Sequence, residues 1–117
     1  RELKDDHTVV VEEGDVFSEY VEQALGARKI ATVDWSPRSG LPEGYVTLYT
    51  TSDGKYIVTN YDMNSEVVVA IADNVYEAIT SAKNEFLSFA NKYLSPEERE
   101  EQIKEINRVF DELLAKA

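Results

Sequence analysis

Asp53-Gly54 stands between two alternating runs, Tyr45 to Thr51 before it and Lys55 to Tyr61 after it. Asp-Gly is favoured in two-residue type I′ turns because both central positions take positive φ. The segment therefore predicts a β-hairpin, and the rest of the chain is read around it. Tyr45, Thr47, Tyr49 and Thr51 share one side of its first strand, and a two-residue turn brings Tyr56, Val58 and Asn60 onto that side. The opposite side carries Val46, Leu48, Ile57 and Tyr61. Being more aliphatic, this second set is assigned to the face under the helices. Two readings of the tyrosine side stay open: a wet surface, or a core covered by a short helix.

The flanking patterns supply the other elements. His7 to Glu12 is β-branched and reads as a first strand. Asp15 is placed to cap a helix whose apolar residues are Val16, Phe17, Tyr20, Val21, Ala24 and Leu25, with Gly26 as its stop. Arg28 to Trp35 and Val67 to Ile71 read as further strands, the first closed by the loop SPRSGLPEG. Val75, Ile79, Ala82, Phe86, Phe89 and Tyr93 recur at steps of four and three, the buried seam of a helix over 74–94 capped by Asp73. Ser95-Pro96-Glu97-Glu98 then restarts a helix with a capping box, its buried side formed by Ile103, Ile106, Phe110, Leu113 and Leu114. So short a turn makes the last two helices an αα-hairpin. The order β-α-β-β-β-β-α-α predicts an α+β fold: an antiparallel sheet of four or five strands with the αα-hairpin packed on one face. One domain is expected over residues 1–117, with 1–6 as a charged lead-in.

Composition narrows the function classes. Twenty-three acidic residues against 12 basic ones give a formal charge of −11. Such a field repels phosphate backbones and anionic lipids, so neither nucleic acid nor a membrane is the expected direct partner. The longest apolar run, Val67 to Ala72, is far below the roughly 20 residues a membrane helix needs. With no cysteine there are no disulfides, thiolate metal sites or thiol nucleophiles. No Asn-x-Ser/Thr acceptor occurs either, and a cytoplasmic location is the expectation.

The inventory for catalysis is thin. His7 is the single histidine, and reads as an exposed residue at a strand start. Asp34 beside Trp35, and Glu66 at the head of an apolar run, are the carboxylates best placed for desolvation, but strand alternation explains both. Asn60, Asp62, Asn64 and Glu66 have the spacing of half a calcium loop, yet Ser65 and Ile71 stand where such a loop needs glycine and glutamate. Ser52-Asp53-Gly54-Lys55 lacks the glycine-rich frame and the following helix of a phosphate loop. No catalytic, cofactor-binding or metal-ligating set emerges.

The expectation is a non-enzymatic acidic adaptor or inhibitor docking on a basic surface of a larger protein, nucleic-acid mimicry being one form of it. Tyr45, Tyr49 and Tyr56 are the candidate anchors, with Trp35 either a rim contact or a core plug. Glu97, Glu100 and Glu101, opening the last helix, are the candidate charged contacts, although glutamates there also suit the helix dipole. Two other classes remain open: a small-ligand or carboxylate-based enzymatic domain, and an oligomerisation module of a longer chain.

Overall fold

The computed structural model describes residues 11–35, 44–62 and 65–117. The expected first strand falls largely on residues outside these, as do His7, Asn64 and most of the proline-rich loop; Val11 and Glu12 belong to no strand. The elements are α1 (Glu19–Leu25), β1 (Arg28–Trp35), β2 (Gly44–Thr50), β3 (Tyr56–Asp62), β4 (Ser65–Ala72), α2 (Val75–Tyr93) and α3 (Pro96–Lys116). The fold is α+β. Four strands form an antiparallel meander in the order β1-β2-β3-β4, with α2 and α3 as an αα-hairpin on one face.

The hairpin forms where expected, with a different turn. Thr51 N–H donates to the Lys55 carbonyl at 2.9 Å, which leaves three loop residues, Ser52, Asp53 and Gly54, with Gly54 at φ 87°. Glycine pays no Cβ penalty in that left-handed region. Thr51 supports the loop from inside: its hydroxyl donates to the Asp53 carboxylate and accepts from Lys55 N–H.

One loop residue more than expected shifts the register by one and exchanges the faces of β3. Tyr45 pairs with Tyr61, Val46 with Asn60, Thr47 with Thr59, Leu48 with Val58 and Tyr49 with Ile57. Tyr56, Val58 and Asn60 therefore lie on the helix face, contrary to the sequence reading, and Ile57 and Tyr61 on the other. The helix-side core joins Ala31, Val33, Val46, Leu48, Val58 and Ala70 to Ala78, Ile79, Ala82, Ala90, Ile106, Val109, Phe110 and Leu113. β4 keeps in step through a bulge, so that Val69 and Ala70 both pack on this side.

A smaller cluster, Phe17, Tyr49, Ile57 and Val68, occupies the second face under α1. α1 starts later than expected. Gly14 and Phe17 N–H groups donate to the Val68 and Glu66 carbonyls of β4, and Val68 N–H donates to the Asp15 carbonyl. Those backbone groups are thus committed to the sheet edge and cannot open a helix. The Asp15 carboxylate accepts from Glu12 N–H, and Ser18 caps the helix by accepting from Val21 N–H. Val16, Tyr20 and Ala24 are exposed. Gly26 ends α1 at φ 63°, where an added Cβ would lie 3.0 Å from Ser52. Ser52 N–H and hydroxyl both donate to the Leu25 carbonyl, tying α1 to the hairpin loop.

The αα-hairpin opens on Asn74 and not Asp73: the Asn74 side chain accepts from Glu77 N–H, while Asp73 pairs with Lys55 at 2.6 Å. The capping box of Ser95 and Glu98 is present, with Pro96 in the first turn. Leu114 is exposed and Ile103 half-buried, so the sheet-facing stripe of α3 is Ile106, Val109, Phe110 and Leu113. Among the described residues no helix is long and apolar enough to cross a membrane.

Candidate functional site

In an antiparallel meander β1 and β3 end, and β2 and β4 begin, at one end of the sheet. α2 starts at the other end, directly after β4, and runs back across the strands. The contact of Trp35 with Phe86, ring centroids 5.2 Å apart, fixes where α2 passes the first end. Phe86 in turn meets Phe110 of α3 edge-on at 5.1 Å. Beyond Phe86, Ala90 stays fully buried in the helix-side core, but the remaining turns of α2 are less evenly covered.

The consequence is seen in the seam itself. Ile79 and Ala82 are buried and Phe86 half-buried, but Phe89 and Tyr93, on the same stripe, are 60% and 62% exposed. The rings touch, with centroids 4.8 Å apart, and Lys92 lies 5.3 Å from the centre of the Tyr93 ring. The sequence pattern places both in the buried seam. The 3.6-residue period runs on through the last turns of α2 whether or not a partner covers them, so periodicity alone could not separate buried from exposed positions.

Glu97, Glu100 and Glu101 follow within the first turns of α3, all exposed. Glutamates beside the free N–H groups of a helix start are favoured by the dipole, and Glu98 is engaged in the cap. Arg99 is half-buried, with Nη2 donating to the Leu94 carbonyl at 3.1 Å, and so serves the turn. The tip of the hairpin holds two exposed aromatic rings at the end of α2 and four exposed glutamates at the start of α3, of which Glu98 serves the cap.

The tyrosine set of the sequence reading is divided. Tyr49 is 4% exposed, against Phe17 at 4.7 Å between ring centres. Its hydroxyl donates to Glu66 Oε2 at 2.9 Å, and the Thr59 hydroxyl donates to the same oxygen at 2.6 Å. Burial, with the Glu66 charge beside it, pushes the Tyr49 phenol well above its ordinary value. Tyr56 is half-buried and packs on the helix-side core. Trp35 packs there too, its indole N–H donating to Asn60 Oδ1 at 3.0 Å, which is the core-plug reading. Of the expected aromatic anchors, Tyr45 is an exposed one, at 45%.

On the second face the register lays out rows across the sheet. Thr32, Thr47, Thr59 and Val68 form one, with the Thr32 and Thr47 hydroxyls 3.2 Å apart. Asp34, Tyr45, Tyr61 and Glu66 form the next. Tyr45 and Tyr61 stack there at 5.1 Å with planes 18° apart. Glu66, a candidate acid in the sequence, is thus an acceptor joining β2, β3 and β4, while Asp34 is exposed. Near the start of α2 an open groove is lined by Ile71, Asp73, Tyr76, Glu77, Thr80 and Ser81. Among the described residues no group of three or more His, Asp or Glu side chains is placed to hold a metal ion.

No protein-family model matches the chain, and neither a curated protein nor a solved structure does.

Proposed function

We propose that the protein is a non-enzymatic binding domain, an adaptor or inhibitor that docks on a basic surface of a larger protein through the tip of its αα-hairpin. The observation that carries this reading is the exposure of Phe89 and Tyr93 as a touching pair at the end of α2, one short turn ahead of the exposed Glu97, Glu100 and Glu101 in α3. Aromatic side chains supply large contact area for little lost rotamer freedom, and dominate interfaces when a polar rim excludes water around them. A net charge of −11 steers encounter with a basic partner and makes the association rate fall with salt.

The test replaces Phe89, and separately Tyr93, by the photo-crosslinking residue benzoylphenylalanine in cells of the source organism. Tyr20 on α1, which is 72% exposed, serves as the control position. Adducts to one basic protein from positions 89 and 93, suppressed when salt is raised before irradiation, are the expected result. An adduct from position 20 alone would put the interface elsewhere and defeat the reading.

A further inference from the structure

We infer that Asp34, Tyr45 and Tyr61 form a receptor for an arginine side chain of a partner protein. The site lies on the sheet face opposite the αα-hairpin and does not depend on the Phe89–Tyr93 pair. Tyr45 stands between its cross-strand neighbours, Tyr61 on β3 and Asp34 on β1. One face of its ring is taken by Tyr61, stacked at 5.1 Å. Tyr45 nonetheless stays 45% exposed, and its neighbour on the β1 side is Asp34, since directly paired side chains rise from a sheet about 5 Å apart. There the Asp34 carboxylate is exposed, and among the described residues it makes no ion pair.

An exposed aromatic ring with an exposed carboxylate beside it suits a planar cation. Guanidinium stacks on the ring and offers N–H groups at its edge to the carboxylate, and being weakly hydrated it gives up water readily. An ammonium group satisfies the charge but not the plane. Among the described residues, Arg108 reaches Asp34 from α3 on the helix side. Its Nη2 donates to the Asp34 carbonyl at 3.0 Å, and Glu105 and Glu112 hold the rest of its guanidinium. It shows that a guanidinium is tolerated at this edge: it bonds the backbone carbonyl of Asp34 and feels the charge of its carboxylate without a hydrogen bond to it.

The experiment titrates isotope-labelled protein with blocked Gly-Arg-Gly, Gly-Lys-Gly and Gly-citrulline-Gly, reading amide shifts by NMR. Arginine peptide should move the amides of Asp34, Tyr45 and Tyr61 first, and bind about three- to fivefold more tightly than lysine peptide. Citrulline keeps the plane without the charge and should be weakest. Asp34→Asn and Tyr45→Leu, both at exposed positions, should each remove the arginine preference while the remaining spectrum stays dispersed. Equal binding of lysine and arginine peptides, or persistence of the preference in both variants, would overturn the inference while leaving the hairpin reading intact. So would shifts confined to Glu97, Glu100 and Glu101.

Discussion

Phe89 and Phe110 belong to one helical hairpin, and their replacement should have opposite outcomes. Phe110 is 1% exposed and touches Phe86, so Phe110→Ala leaves a cavity and should cost about 3–5 kcal/mol in urea unfolding. Phe89 is 60% exposed, and Phe89→Ala should change stability by less than about 0.5 kcal/mol. A large loss at Phe89 would mean that the ring is part of the core. Tyr49 gives a pH-dependent prediction. A phenol whose value is raised in the folded state binds its proton more tightly there than in the unfolded chain, where it titrates near 10. Its contribution is therefore complete below pH 10 and is lost as pH climbs through the folded value. Stability should decline above pH 10, and Tyr49→Phe should make that decline shallower. The same change removes the bond to Glu66 and should cost about 1–2 kcal/mol at pH 7.

At the scale of elements, the β2–β3 loop decides the face on which each β3 side chain falls. Gly54 has open space around it, so Gly54→Ala adds strain at φ 87° and no clash; the expected loss is about 1 kcal/mol by thermal unfolding. Asp53-Gly54 made the hairpin legible in sequence, and the β1 strand and the α3 capping box were equally local signals. Turn length was not. A two-residue and a three-residue loop read alike in Ser52-Asp53-Gly54, and the difference places Tyr56 and Tyr61 on opposite faces from those expected. The start of α1 was hidden for a related reason: residues 14–17 give their backbone hydrogen bonds to β4, a partner about 50 residues away that no local pattern reveals.

The whole molecule sets what the elements cannot. Phe89 and Tyr93 keep the same helical period as the buried residues of α2, and their exposure depends on what the rest of the fold leaves uncovered, so this part of the candidate site was not readable from the chain. Glu97, Glu100 and Glu101 were readable, because a capping box fixes the helix start and puts the glutamates in its opening turns. Edges are also a whole-molecule property. β1 is an outer strand, and its Thr32 and Asp34 carbonyls accept from Lys116 at 3.2 Å and Arg108 at 3.0 Å, both reaching from α3. Charged side chains on an edge discourage pairing with another chain. Arg108→Ala combined with Lys116→Ala should therefore produce concentration-dependent self-association in analytical ultracentrifugation, whereas a variant that stays monomeric would show that α3 is not what protects this edge.

The central claim, docking through the hairpin tip, is tested most directly by the affinity of the crosslinked partner for wild type and for Phe89→Ala with Tyr93→Ala, across a salt series. The double variant should fold as wild type and bind at least about tenfold more weakly at every salt concentration, the loss expected of two aromatic anchors. Unchanged affinity in a folded double variant would contradict the claim.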